Sequence, residues 1–321
     1  MPDPLGPALS VVLPAPERIS LVLRTVAAIA AQTVADRIEM VIVARDATEP
    51  VPADLTAPLR SVQIVARPDW TTMTAARVHG ILQSRAPIIA LAEDHCFPTP
   101  EWAAALLRAH REPWAAVGPA FVNANPATLI SWANFGIEYG PWLAPVPAGP
   151  SEHLPGHNSA YKREVLVDYG ERLEPMLEAE SVMHWDLRQR GLQVAMEPAA
   201  TARHENFSRL VPSLQLRLCA GRLFAASRAL GWPLWRRLGF AAASPAIPIL
   251  RAWRTRQHLA RVPAARGRRG LMAVVVAFLV VDGVGECLGY LLGAGDQSRR
   301  LSELEHDRPR FMSESDRGAA S

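Results

Sequence analysis

Three consecutive side chains that can bind a metal ion, Glu93, Asp94 and His95, interrupt an apolar segment of the chain. Residues 88–91 before them predict a buried strand. On extended backbone Glu93 and His95 share one side, so a single cation can bind both, while Asp94 points away or into the turn. A carboxylate with an imidazole suits Mn²⁺ better than Ca²⁺, and such an ion neutralises a phosphate-bearing substrate. The alternative is an acidic turn that caps the strand.

The elements that must position these residues alternate between strands and helices. Apolar runs and helical spacing predict strands at residues 9–14, 39–44, 61–65, 88–91, 115–118 and 193–196, and helices at residues 20–32, 72–84, 101–110 and 180–190. This alternation predicts an α/β fold with a mostly parallel sheet flanked by helices. In such sheets ligands bind at the carboxyl ends of strands, where residues 93–95 would lie. Residues 123–155, rich in Pro, Gly, Trp and Tyr, are expected to form a loop region that shapes a pocket.

Length and composition favour one large α/β domain with an appendage, in a reducing compartment. The chain has 321 residues, of which 49% are hydrophobic, so a sizeable core is expected. Its three cysteines, Cys96, Cys219 and Cys287, form neither a disulfide framework nor a zinc-binding spacing. The first eight residues contain no basic segment before an apolar stretch, so no cleavable signal is expected.

The formal net charge of +3 conceals an arginine-rich region. Residues 206–270 contain many arginines and no aspartate or glutamate. These arginines are interleaved with Trp232, Trp235 and Trp253 and with apolar stretches. Such a mixture favours an anionic membrane surface, rather than nucleic acid, as the partner of this region.

Residues 271–292 are apolar and about as long as a helix that spans a bilayer. Asp282 and Glu286 interrupt this segment, and each carboxylate would be costly at bilayer depth. We therefore expect a re-entrant or interfacial helix pair rather than a simple span. The alternative is the buried core helix of a soluble protein.

The order of these features resembles that of the family 2 glycosyltransferases, which have a Rossmann-like GT-A fold and use nucleotide-sugar donors. SVVLP at residues 10–14 looks like the family's opening strand, and AARVHG at residues 75–80 resembles its alanine-arginine-asparagine-x-glycine helix. The central match is EDHCFPTPEW at residues 93–102, which resembles the family's Asp-x-Asp followed by x-x-Pro-x-Pro-x-Trp. The resemblance covers residues 10–208 and implies that Glu93 and His95 bind Mn²⁺ or Mg²⁺.

Two later segments extend the resemblance. GHNSAYKR at residues 156–163 is similar to the family's glycine-x-asparagine-x-alanine-x-basic-basic segment, which implies that Gly156 and Asn158 lie on the acceptor side. HEN at residues 204–206 resembles the late histidine that supplies another metal or diphosphate contact, which makes His204 a third candidate ligand. The resemblance further implies that Pro14, Arg45, Arg77 and Asp94 contact the donor.

Glu180 looks like the family's catalytic carboxylate, with Glu174 and Glu178 as alternative bases. His184 on the same predicted helix either lines the acceptor site or packs in the core. Arg77 has its own alternative, a solvated arginine on a surface helix. His153 and His157 are interpreted as loop residues rather than ligands.

The resemblance implies an inverting, metal-assisted glycosyltransferase of the hexosyltransferase type. It would move a sugar from a nucleotide diphosphate sugar to a lipid-linked, polysaccharide or other glycan acceptor, in the biosynthesis of a cell-envelope polysaccharide. Residues 1–208 would form the catalytic GT-A domain, residues 209–298 a membrane-associated helical region, and residues 299–321 a polar, disordered tail. The expected location is the cytoplasmic face of the inner membrane.

The chain also departs from the family pattern, and this leaves two other functions open. ARDA at residues 44–47 stands where members carry Asp-Asp-Gly-Ser, and the metal motif lacks one acidic charge. These departures fit either an unusual donor or a non-catalytic GT-A-like protein that binds a nucleotide or glycan and assists a partner enzyme. A metal-dependent nucleotidyltransferase or hydrolase would fit the cation but not the segment at residues 156–163.

Overall fold

The computed structural model describes residues 6–15, 18–46, 48–70, 72–178, 180–305 and 308–320. The chain forms two compact units, the first made of residues 1–122 and 146–203 and the second of residues 123–145 and 204–321. Most of the sheet belongs to the first unit, whereas the second unit is mainly helical. The three-part division predicted at residues 208 and 298, and the disorder of the tail, stay predictions.

The described residues include nine strands in one sheet: β1 Leu9–Ala15, β2 Ile38–Ala44, β3 Ser61–Ala66, β4 Ile88–Leu91, β5 Cys96–Pro98, β6 Ala116–Asn123, β7 Gly149–Ser151, β8 Ala160–Lys162 and β9 Val194–His204. The order of the strands is β3-β2-β1-β4-β8-β6-β9-β5, and β7 also pairs with β9. Strands β3, β2, β1 and β4 are parallel, whereas β8 is antiparallel to β4 and β6, and β7 to β9. The predicted α/β sheet is confirmed, with a parallel half from β3 to β4 and antiparallel pairing of β8 with β4 and β6 and of β7 with β9.

The α-helices of the described residues are α1 Leu23–Ala30, α2 Ala53–Thr56, α3 Met73–Gln83, α4 Trp102–Ala109, α5 Leu129–Tyr139, α6 Arg163–Val167, α7 Leu173–Leu177, α8 Glu180–Gln189, α9 Leu210–Arg228, α10 Leu234–Ala243, α11 Ile247–Leu259, α12 Leu271–Leu292, α13 Gln297–Glu305 and α14 Glu314–Ala320. Helix α3 packs on β1 and β2. A Cβ atom at Gly80 of α3 would lie 2.4 Å from Val12 Cγ1, so glycine permits this close approach.

Strands β1 and β2 form the centre of the first unit and are buried along their whole length. They are rich in valine, isoleucine and leucine because a parallel sheet is covered on both faces. Their one charged residue, Glu39, accepts hydrogen bonds from Ser10 Oγ at 2.5 Å and from Arg85 Nε at 2.6 Å. Burial opposes ionisation of Glu39, but these hydrogen bonds outweigh it and hold the pKa below its ordinary value.

The region expected to be a loop contains helix α5, so that part of the prediction is wrong. The side chain of Thr128 accepts a hydrogen bond from Ser131 N and caps the first turn. Residues Trp132, Phe135 and Tyr139 follow at helical spacing and are buried. The sequence predicts a loop here because proline and glycine flank these aromatic residues on both sides.

Helix α12 matches the predicted apolar segment residue for residue but is one continuous helix rather than a pair. Within the described residues, it is the single helix long and apolar enough to cross a membrane by length and composition, and 44% of its most apolar window is buried. Asp282 and Glu286 are both buried within the second unit.

Candidate active site

The loop that carries Glu93 lies at the carboxyl ends of β1 and β4. Strand β4 ends at Leu91, and the next residue, Ala92, donates its N–H to Val12 O at 2.8 Å. The carbonyl of Glu93 accepts a hydrogen bond from Thr25 Oγ1 at 2.9 Å. These bonds fix the loop at the edge where an α/β sheet binds ligands, as the sequence predicts.

The side chains of Glu93 and His95 face each other across this loop. Glu93 Oε1 lies 3.6 Å from His95 Nε2, although the backbone turns here instead of staying extended. His95 Nδ1 lies 2.5 Å from Asp94 Oδ1. We assign the ring proton to Nδ1, which donates to Asp94, so that Nε2 keeps the lone pair that a metal ligand needs. Asp94 therefore orients His95 from within the turn.

His204 is the last residue of β9 and is fully buried. Its Nδ1 lies 2.9 Å from Asn206 Oδ1, and Asn206 N in turn donates to Asn125 Oδ1 at 2.8 Å. The ring of Tyr139 lies 4.3 Å from the His204 ring, centroid to centroid. An Nδ1–H bonded to Asn206 again leaves the Nε2 lone pair for a ligand, so Asn206 orients His204 as Asp94 orients His95.

Glu93, His95 and His204 each offer one ligand atom, and these atoms lie within 4.8 Å of one another. All three predicted metal ligands therefore form a possible metal-binding triad. One carboxylate oxygen with two imidazole nitrogens fits a borderline divalent ion such as Mn²⁺ and is too poor in oxygen for Ca²⁺.

Basic and amide groups surround the carboxylate of Glu93. Arg77 Nη2 lies 3.7 Å and His157 Nδ1 3.3 Å from Oε1, and Asn158 Nδ2 lies 3.5 Å from Oε2. Arg77 is only 4% exposed, so the alternative of a solvated surface arginine is wrong. A buried guanidinium beside the candidate cation site adds positive charge where a diphosphate would need it.

His157 lies between the two carboxylates that sequence analysis singled out. Its Nδ1 is 3.3 Å from Glu93 Oε1, and its Nε2 is 3.3 Å from Glu180 Oε1. The residue is in a loop, as predicted, but its position between Glu93 and Glu180 was not predicted from the sequence. The available signal was its position inside the segment at residues 156–163.

Glu180 is the first residue of α8, with a side chain that is 21% exposed. A Cβ atom at Gly156 would lie 2.1 Å from Glu180 Cδ, so only glycine lets the chain pass this carboxylate without a shift. Glu174 is exposed on α7 and Glu178 is half-buried at its end. The contact with His157 therefore favours Glu180 over both, while Ala179 lies outside the described residues.

Asn158 holds the segment at residues 156–158 against the end of β4. Its N–H donates to Leu91 O at 2.6 Å, and its φ of +61° is a left-handed conformation that asparagine tolerates well. Gly156 and Asn158 thus fix the loop that carries His157. Their predicted place on the acceptor side stays a prediction.

His184 is fully buried on α8. Its Nδ1 accepts from Leu154 N at 3.4 Å, its Nε2 lies 2.9 Å from Tyr161 OH, and the two rings are stacked. Burial lowers the pKa of His184 to about 3, so the ring is neutral. These contacts favour the packing alternative, and a role toward an acceptor stays a prediction.

The other predicted donor contacts lie at the ends of the central strands. Pro14 is buried in β1, where it pairs with Val43 of β2. Arg45 follows β2, is exposed, and lies over the ring of buried Trp70 at 5.1 Å. Arg45 is thereby held beside the carboxyl end of β2.

The profile of a known family, described as Glycosyl transferase family 2, matches residues 10–170, which is half of the chain. The chain belongs to this family. In this family 2 glycosyltransferase, the matched residues include the Glu93–His95 turn, Arg77 and the segment that carries His157. No curated protein matches its sequence significantly.

The chain is similar to two solved structures, and the first of them supports the GT-A fold of this family 2 glycosyltransferase. The mannosyltransferase PcManGT from Pyrobaculum calidifontis, in complex with GDP-Man and Mn²⁺, aligns over 89% of this chain and 89% of its own, with 15% identity and a TM-score of 0.53. GalNAc-T7 with UDP, GalNAc and Mn²⁺ aligns over 76% of this chain and 51% of its own, with 16% identity and a TM-score of 0.49. The chain spans about half the length of that second protein.

Proposed function

We propose that this protein transfers a sugar from a nucleotide diphosphate sugar to an acceptor hydroxyl, with inversion and with the help of Mn²⁺ or Mg²⁺. The observation that carries the proposal is the line Glu93, His157, Glu180, with 3.3 Å on each side of the imidazole. A candidate metal ligand, Glu93, and a candidate base, Glu180, thus contact opposite nitrogens of the same imidazole ring. The GDP-Man and Mn²⁺ bound to PcManGT support the same donor and ion class.

The leaving group is the charged part of this reaction. A divalent cation held by Glu93, His95 and His204 would supply charge neutralisation to the departing diphosphate. Arg77, buried 3.7 Å from Glu93, would bind a phosphate oxygen of the donor and orient it. Asp94 and Asn206 keep the two imidazoles in the tautomer that this role requires.

Glu180 would act as the general base on the opposite face of the sugar. Its carboxylate takes the proton from the acceptor hydroxyl while the hydroxyl oxygen forms a bond with the anomeric carbon. The bond from that carbon to the diphosphate oxygen breaks, and the nucleoside diphosphate leaves with the electron pair. One displacement of this kind inverts the anomeric centre.

Binding and turnover together test the proposal. Purified protein is titrated with UDP, GDP, dTDP and ADP and their sugars, with Mn²⁺, with Mg²⁺ and with chelator. We expect metal-dependent binding of one nucleotide sugar that Glu93→Ala and His95→Ala abolish. Glu180→Gln should keep donor binding but lose transfer, by about a thousandfold, because the base is absent.

Glu112→Gln is the matched control, since this carboxylate is exposed in the same unit. Near-wild-type transfer by Glu180→Gln would refute the assignment of the base. Donor binding without transfer by the wild type would instead favour the non-catalytic, partner-assisting protein. Absence of any metal-dependent nucleotide binding would reject the proposed reaction altogether.

We also propose a lipid-linked or growing glycan acceptor and a location at the cytoplasmic face of the inner membrane, in the biosynthesis of a cell-envelope polysaccharide. The support is the arginine- and tryptophan-rich sequence at residues 206–270, together with the apolar helix α12. Fractionation of cells tests the location. Recovery of the full chain in the soluble fraction, without detergent, would contradict it.

A further inference from the structure

Three neighbouring helices of the second unit expose large apolar side chains. Helices α10 and α11 both pack on α12. The exposed fractions run from 43% to 75%, and the side chains, which we call the apolar face, are Leu234, Trp235, Leu238, Ile249, Leu250, Trp253, Val276, Val280, Val284, Leu291 and Leu292. Soluble monomers rarely expose so many large apolar groups on adjoining helices, so the face needs an occupant.

Helix α12 contributes only one side to the apolar face. Val276, Val280 and Val284 are exposed at a spacing of four residues, whereas Phe278 and Leu279 between them are fully buried. A helix that crosses a bilayer alone would present all its sides to lipid. The one-sided exposure of α12 indicates a helix whose remaining surface is covered by its own unit.

The covered side of α12 packs against α9 through glycines. A Cβ atom at Gly285 would lie 2.4 Å from Leu218 O, and one at Gly289 would lie 2.3 Å from Arg222 O. Gly221 of α9 is equally tight, with its Cβ position 2.3 Å from Asp282 O. Backbone contact at this distance fixes which side of α12 faces outward.

The two acidic residues of α12 also point inward. Arg251 of α11 contacts Asp282 and lies with Nη1 3.2 Å from Glu286 Oε1. Both acidic residues are 3% exposed. Their placement removes from the outer surface the charges that would resist contact with lipid.

Positive charge accompanies the apolar face. Residues 206–270 contain thirteen arginines and no aspartate or glutamate. Several are exposed on α10, on α11 and in the segment between α11 and α12, namely Arg236, Arg254, Arg256, Arg261, Arg266 and Arg269. Trp235 and Trp253 are exposed among them, at 73% and 57%. Indoles and guanidinium groups together match the headgroup region of an anionic bilayer.

We infer that the apolar face docks into a single leaflet of an anionic membrane and that α12 lies at the interface without crossing the bilayer. The exposed tryptophans and aliphatic side chains enter the boundary between headgroups and acyl chains, while the arginines bind lipid phosphates. This docking rests on the membrane location proposed above and specifies how the protein is held there, whereas it does not depend on the proposed sugar transfer.

Vesicle flotation of the full-length protein tests the docking. We expect binding to vesicles of phosphatidylcholine mixed with phosphatidylglycerol, and at least about tenfold weaker binding to phosphatidylcholine alone. Ile249→Glu and Trp253→Glu should each weaken binding by about tenfold or more, because a charge enters the apolar boundary. Leu82→Glu is the matched control, since Leu82 is 55% exposed on α3 of the other unit and should change nothing.

Equal binding of the wild type, Trp253→Glu and Leu82→Glu would overturn the inference. Alkaline carbonate extraction separates docking from a span. We expect the protein to leave the membrane in carbonate, whereas retention in the pellet would show that α12 crosses the bilayer. A stable dimer that ignores both kinds of vesicle would show that a second copy covers the face instead.

Discussion

At the scale of single residues, His157 has the contacts of a positioning residue. It touches the candidate base Glu180 and the candidate metal ligand Glu93 through different nitrogens. Gly156 and Asn158 on either side hold its loop, one by close approach and the other by its backbone conformation. The ring can therefore set the distance between the two carboxylates without taking part in bond making.

Replacement of His157 should lower kcat more than it changes KM for the donor. We expect His157→Ala to reduce kcat by about tenfold to a hundredfold, because Glu180 loses the neighbour that orients it. His157→Gln places an amide near Nε2 and should recover more activity than His157→Asn, which mimics Nδ1. The rate of donor hydrolysis gives kcat, and titration with the donor gives the change in donor affinity. His79→Gln is the control variant.

Similar losses of kcat in the Ala, Asn and Gln variants would argue against a positioning role through Glu180. A rise in donor KM with unchanged kcat would instead assign His157 to donor binding. Loss of Mn²⁺ affinity in His157→Ala would show that its contact with Glu93 is the important one.

The three candidate metal ligands could be named from the sequence, but the residues that orient them could not. Glu93, His95 and His204 follow from residue type and motif position. The bonds from Asp94 and Asn206 that orient the imidazoles depend on rotamers and on loop closure, which no local pattern encodes. The contact of His157 with Glu180 was not predicted for the same reason, since the two residues lie far apart in the sequence.

At the scale of elements, the central strands were the most predictable part. Strands β1, β2, β3 and β4 begin and end within one residue of their predicted bounds, because apolar runs of β-branched residues have few alternatives. Strand β9 was predicted over residues 193–196 but continues to His204. The part of β9 beyond residue 196 contains one proline and three alanines, so pairing rather than propensity makes it a strand.

The glycines of α9 and α12 give a prediction at this scale. Gly285→Ala or Gly289→Ala should destabilise the second unit by about 1–3 kcal/mol, because the added methyl group meets backbone that cannot rotate away. Gly239→Ala in α10 has nothing within 4 Å and should stabilise the helix by about 0.5–1 kcal/mol. Thermal unfolding of the three variants measures the difference. Equal melting temperatures would contradict the close packing of α9 on α12.

At the scale of the whole molecule, two neutral histidines, the half-buried His110 and the buried His184, link folding to pH. Burial lowers the pKa of His110 from 6.5 to about 4, opposed by a hydrogen bond of its Nε2 to Ala160 O. Burial likewise lowers the pKa of His184 from 6.5 to about 3. The folded chain therefore excludes protons that the unfolded chain accepts below pH 6.5.

The free energy of unfolding should fall as the pH falls through this window. The stabilising contribution of the two neutral histidines is fully present above pH 6.5. It is lost as the pH falls to about 4 for His110 and to about 3 for His184. Each group contributes a slope of about 1.4 kcal/mol per pH unit where only the unfolded state is protonated. Urea unfolding followed by tryptophan fluorescence, at about pH 7 and about pH 5, measures this loss. His110→Gln keeps a hydrogen-bond donor but cannot titrate, so it should reduce the slope by one group's share, and an unchanged slope would mean that His110 is protonated in the folded chain.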